Sequence, residues 1–152
     1  AAALQDYALV PAEPAVLYNQ GLAHYECGNR EEAMHSLIAA FVGNRHVAHF
    51  LVRRGDSPET SLPGYLASTA YAREFVDACE GLWERSTGAI EFLRRVYEHP
   101  LTQSHLLFCT QTILDRVLEG GPAAIGEDWY AQVEHEPEVQ RLVQRVLSLM
   151  DS

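Results

Sequence analysis

Between Pro14 and Gly43, apolar and small residues recur at helical spacing twice, with Gly28-Asn29 between the two runs. Val16, Leu17, Gln20, Gly21, His24 and Tyr25 mark one face of a first helix. Ala33, Met34, Leu37, Ile38 and Phe41 mark one face of a second. Pro14 stands where a helix can start. Glu31 and Glu32 fall in the first turn of the second helix, where carboxylates suit the helix dipole, and Gly43-Asn44 closes it. The stretch is a helical hairpin, and it also carries His24, Cys27 and His35 within a few turns of one another.

The rest of the chain continues the helical signal. Val47 to Val52 is a short apolar run of one or two turns. Residues 53 to 65, rich in Gly, Pro and Ser, form the one long irregular connection. A helix is predicted from Leu66 to Glu84, with Tyr71, Phe75, Ala78, Cys79 and Leu82 on one face. Another starts after Ser86 or Thr87 and stops before Pro100. Leu101, His105, Phe108, Cys109, Ile113 and Val117 form a further stripe, ended by Gly120-Gly121-Pro122. A short helix near Glu127 to Glu134 and a last one from Pro137 to Met150 complete the series, the last with Val139, Leu142, Val143, Val146 and Leu149 apolar. No period-2 segment of strand length competes, so the expected class is all-α with about seven or eight helices.

Composition narrows the function classes. With 152 residues and 47% apolar content the chain can bury a core as one domain over 1–152. The net charge is −10 and every one of the 11 basic residues is arginine, none in a run longer than a pair. Binding to nucleic acid draws its affinity from phosphate neutralisation, so this balance argues against it and favours basic partners. No apolar run has the length of a membrane span. The first residues have neither the basic start nor the apolar core of a secretory signal, and the chain reads as a fragment of a longer protein. Cys27, Cys79 and Cys109, odd in number and far apart, fit reduced thiols on buried helix faces and hence a cytoplasmic location.

The hairpin of residues 14–44 resembles one tetratricopeptide repeat. Gly21 and Ala33 stand at the positions where small residues let the two antiparallel helices approach, Ala40 faces the next repeat, and Leu17, Tyr25 and Leu37 fill the gaps between. Gln20 stands where the pattern has Leu, His24 where it has an aromatic, and Arg45 where it has proline, and no second copy follows at a step of about 34 residues. Beyond the hairpin, Asn44, Val47, Leu51, Leu62-Pro63, Trp83 and Thr87 to Leu93 follow in the order found in a group of poorly characterised tetratricopeptide-like proteins, so that the likeness covers residues 14 to 95. It implies hairpins stacked as a short α-solenoid bundle: the repeat hairpin at 14–44, a helical extension at 45–99 and capping helices at 100–152.

Several constellations invite chemistry. His24 and Cys27 share one helix at i, i+3 and His35 lies on the next, but the paired Cys or His elements of a zinc site are absent, and packing accounts for His24 better. His46 and His49, also i, i+3, are the metal or hydrolytic candidates, with Asp56 and Glu59 across a loop as possible partners; the alternative is an amphipathic turn with two surface or half-buried rings. Glu91 with Arg94 and Arg95 is an ordinary ion-pair spacing. No nucleophile elbow, phosphate-cradling loop or dinucleotide fingerprint is present. Trp129-Tyr130, two adjacent aromatics on a helix, point in different directions and expose at least one ring.

These features lead to an expected non-catalytic module that binds a protein, peptide or partner helix in a helical groove and needs no cofactor. The candidate contact residues are Asn19, Leu22 and Glu26 on the first helix, Arg53 and Arg54 as a clamp for an acidic ligand, and Trp129. Two alternatives stand beside it: a metal-binding or hydrolytic domain using His46 and His49, and an oligomerisation domain pairing through Val139 to Leu149.

Overall fold

A computed structural model of the chain describes residues 13–53, 64–120 and 136–150. Among these there are seven α-helices: α1 Pro14–Glu26, α2 Arg30–Gly43, α3 Arg45–Leu51, α4 Thr69–Arg85, α5 Ala89–Tyr97, α6 Pro100–Gly120 and α7 Glu136–Met150, with one short 3-10 turn, Tyr65–Ala67, ahead of α4. The all-α class and the helix count are as the sequence leads one to expect. Residues 54–63, with Arg54, Asp56 and Glu59, and residues 121–135, with Trp129 and the short helix expected near Glu127, lie outside the described residues.

Local chemistry sets the boundaries. Pro14 opens α1, and Gly28, at φ +81°, lets the chain turn from α1 into α2. Asn44 separates α2 from α3 and caps α3, its Oδ1 accepting from the main-chain N–H groups of His46 (3.0 Å) and Val47 (3.3 Å). Its Nδ2 donates to the carbonyls of Leu66 (3.0 Å) and Ser68 (2.9 Å), which fixes the start of α4 beside the start of α3. Ser68 then caps α4 by accepting from the N–H of Tyr71.

Helix α2 is the centre. Ala33, Met34, Leu37, Ile38, Ala40, Phe41 and Val42 are all buried, and α1, α3, α5, α6 and α7 all pack on it. In a linear stack of hairpins each unit touches only its neighbours. Here the last helix returns to the second, and Gln140 and Gln144 of α7 both donate to the carboxylate of Glu31 in the first turn of α2, at 2.5 and 2.8 Å. The buried residues form one cluster running from Tyr18 to Val146. Tyr18 and Phe41 (ring centroids 6.0 Å apart), Tyr18 and Phe75 (5.7 Å), and Phe41 and Tyr97 (5.0 Å) chain α1, α2, α4 and α5 together through aromatic contacts.

Two helix faces differ from the sequence reading. In α4 the inward face is Tyr71, Ala72, Phe75, Val76 and Trp83, whereas Ala78 and Leu82 point outward. In α6 the inward residues are Leu106, Cys109 and Ile113, and Phe108 points to solvent. The cysteines differ too: Cys109 is buried, Cys79 half-buried and Cys27 exposed, all three with free thiols.

Candidate functional site

The densest polar constellation lies where α3 meets α5 and α6. Helix α3 has seven residues and is covered on several sides, so its polar residues enter the core with its apolar ones. His46 is 3% exposed and His49 7%. This corrects the picture of two surface or half-buried rings on an amphipathic turn. A helix this short between packed neighbours has little free face to offer.

His49 meets the ring of Tyr97 edge-on, and its Nδ1 is in hydrogen-bond contact with the Tyr97 hydroxyl. Arg45 Nε donates to the same hydroxyl at 3.4 Å, and its terminal nitrogen donates to Gln103 Oε1 at 2.9 Å. Gln103 in turn donates to the Tyr97 carbonyl at 2.5 Å. Arginine only donates, so the Tyr97 oxygen accepts from Arg45. Nδ1 of His46 is buried without a hydrogen-bond partner. Burial, and then the nearby Arg45 charge, hold His46 below the ordinary histidine range.

Among the described residues no three His, Cys, Asp or Glu side chains come together to hold a metal ion, and the partners proposed for His46 and His49, Asp56 and Glu59, are outside those residues. The His24, Cys27 and His35 trio divides: Cys27 is exposed, both rings are half-buried, and Nδ1 of His24 and Nε2 of His35 are buried without hydrogen-bond partners. A second histidine–cysteine pair lies on α6, where His105 Nε2 stands 3.5 Å from the Cys109 sulfur. That thiol is fully buried, which keeps it from acting as a nucleophile on anything arriving from solvent.

The proposed contact residues do not converge. Asn19 and Glu26 are exposed on α1. Leu22 is not: it is 5% exposed and belongs to the core, because α1 is covered both by α2 and by side chains of α4 and α5, Tyr18 lying against Phe75 and Tyr25 on Phe92. Arg53 is exposed, but its guanidinium is already engaged by Glu80 at 3.3 Å and Glu84 at 3.0 Å, an internal pairing in place of the expected clamp for an acidic ligand. The apolar stripe of α7 packs inside the chain, with Val139, Val143 and Val146 buried against α2 and α6.

The surface feature that sequence reasoning missed is on α6. Leu107, Phe108 and Leu118 are 63%, 62% and 84% exposed. Leu107 and Leu118 lie three helical turns apart and in line, and Phe108 flanks them. The run Leu106-Leu107-Phe108 carried the signal, because three consecutive apolar residues on a helix span about 200° and cannot all face one core.

No family model matches the chain, no curated protein is detectably similar to it in sequence, and no solved structure matches it. Among the described residues no helix is long and apolar enough to cross a membrane.

Proposed function

We propose that this chain is a non-catalytic protein-interaction domain that docks a peptide or partner helix on an exposed helix face. The observation that carries the reading is the row of Leu107, Phe108 and Leu118 on α6, large apolar side chains exposed by 62–84%. Apolar side chains grouped on a surface mark contact sites more often than accident. With a net charge of −10, the rim of such a site favours a partner with basic flanks and disfavours nucleic acid. The free thiols fit work in the reducing cytoplasm. The tetratricopeptide-like reading of the hairpin is part of the proposal, supported by the close approach of Gly21 to Leu37.

Affinity capture with the wild type, a Leu107→Asp/Phe108→Asp variant and an Asn19→Ala/Glu26→Arg variant tests it. Loss of partners with the first variant alone supports the α6 face. Loss with the second alone returns the site to α1. Identical recovery from all three overturns the interaction reading at both faces.

A further inference from the structure

The exposed face of α6 carries charge as well as apolar side chains. Leu107, Phe108, Gln111, Asp115, Leu118 and Glu119 are all exposed, and at about 100° per residue they fall within an arc of about 120° on the helix. Leu106, Cys109 and Ile113, on the other side, are in the core. Asp115 therefore lies inside the apolar row. It follows Leu107 and Phe108 by two turns, about 11 Å along the axis, and precedes Leu118 by about 4.5 Å. Gln111 Nε2 donates to Asp115 Oδ1 at 2.9 Å, which holds the carboxylate along this face. Glu119 adds a second carboxylate next to Leu118.

Such a row sets terms for what can cover it. A wholly apolar surface would strip water from the Asp115 carboxylate and offer nothing in return. A second copy would bring up another chain of net charge −10, and like charges repel. Nucleic acid and anionic membrane surfaces carry the wrong sign. A helix with arginine or lysine set among its apolar side chains meets both demands. The stem of such a side chain covers apolar surface while its charged head reaches a carboxylate.

We propose, resting on the reading of α6 as a docking face, that its partner is an amphipathic helix with basic residues placed between and beside its apolar contacts. Apolar side chains of the partner seat on Leu107 and Phe108 at one level and on Leu118 at the other. A cation lies against Asp115, two turns from the first contact and about one turn from the second, and another lies against Glu119. The apolar contacts supply the affinity. The two carboxylates select the sequence and fix the register, as charges at the edge of an interface do.

Fluorescence anisotropy on the full chain at low salt tests the pairing with two labelled probes, each a helical peptide of about 18 residues built of leucine, alanine and glutamine. One carries lysines at the spacing of Asp115 and Glu119, and its twin carries glutamates in their place. The lysine probe is expected to bind about tenfold more tightly than its twin, by a margin that shrinks as salt is added. Asp115→Asn/Glu119→Gln should abolish that preference. Glu26→Gln/Glu32→Gln makes the same change in net charge at exposed positions of α1 and α2 and should keep it. A preference that survives Asp115→Asn/Glu119→Gln overturns the proposal, because the net charge alone then sets it. Equal binding of both probes, lost with Leu107→Asp, also overturns it but leaves α6 as the docking face. Binding that Leu107→Asp does not weaken overturns both readings. Failure of both probes overturns the proposal as well: light scattering then shows whether a second copy holds the row, and a monomer leaves residues 121–135 as the occupant to examine.

Discussion

Gly21 of α1 lies so close to Leu37 of α2 that a Cβ built on it would stand 2.6 Å from Leu37 Cδ2 and 2.7 Å from Cγ. Leu37 is fully buried, so it has no free direction in which to give way. Overpacking of this kind costs about 1–3 kcal/mol, and the helix-propensity gain of Gly→Ala offsets about 1 kcal/mol of that. Gly21→Ala is therefore expected to lower stability by up to about 2 kcal/mol in urea denaturation. In a Leu37→Ala background the same substitution should become neutral or stabilising, because the clash is gone and the propensity gain remains. A Gly21→Ala penalty that persists unchanged in that background would mean that Leu37 does not set the helix separation.

Asn44 joins three parts of the fold with one side chain, capping α3 and holding the carbonyls of Leu66 and Ser68. Asn44→Ala removes the cap, worth about 1 kcal/mol, and two hydrogen bonds worth about 1 kcal/mol each, for an expected loss of about 3 kcal/mol in thermal or chemical denaturation. Asn44→Asp separates the two roles. It keeps the acceptor that caps α3 but turns an oxygen toward two carbonyl oxygens, so it is expected to rescue little. Stability close to wild type for Asn44→Asp would show that the contacts to Leu66 and Ser68 matter less than the cap.

Neighbouring leucines on α6 should respond in opposite ways. Leu106 is 1% exposed and Leu107 63%. Leu106→Ala is expected to cost about 2–5 kcal/mol, as truncations of buried leucine do. Leu107→Ala should stay within about 0.5 kcal/mol. Comparable losses at both positions in parallel urea titrations would contradict the face assigned to this helix.

That pair also shows what the sequence carries and what it leaves open. The helices themselves were legible: Pro14, the Gly28-Asn29 break, Asn44 and Pro100 are chemical signals that act locally, and the helices start and stop at them. Which face of a helix is buried depends on how many neighbours cover it, and periodicity does not report that number. Leu22 reads as a free-face residue only if α1 has one partner helix; with Phe75 and Phe92 on its other side it becomes core. His46 and His49 read as surface rings only if α3 is amphipathic. Arg53 reads as a free cation until Glu80 and Glu84, about thirty residues further on, are brought beside it by the parallel run of α3 and α4. The missed α6 face is the same problem reversed, since helical spacing sets Phe108 on the inward stripe only if partners reach around that side of the helix, and it is exposed.

The nearness of His105 to Glu138 gives a pH signature where α6 meets α7. Burial between α6 and α7 pushes the His105 ring below the ordinary histidine range, and the Glu138 carboxylate pulls it partly back. The lowered value fixes the sign. The folded chain binds fewer protons at His105 than the unfolded chain, so this contribution to stability is complete above about pH 6.5 and declines as the pH falls below it. Glu138→Gln removes the opposing charge without changing the size of the side chain. Its expected effect is a downward move of the His105 midpoint in an NMR ring titration and a steeper loss of stability between about pH 6.5 and pH 5. Because Glu138 is exposed, solvent screens the interaction, and added salt should shrink the difference between the two proteins. A His105 midpoint that stays in place when Glu138 is replaced, at low salt, would mean that burial alone sets it and that the α6–α7 contact contributes no charge interaction there.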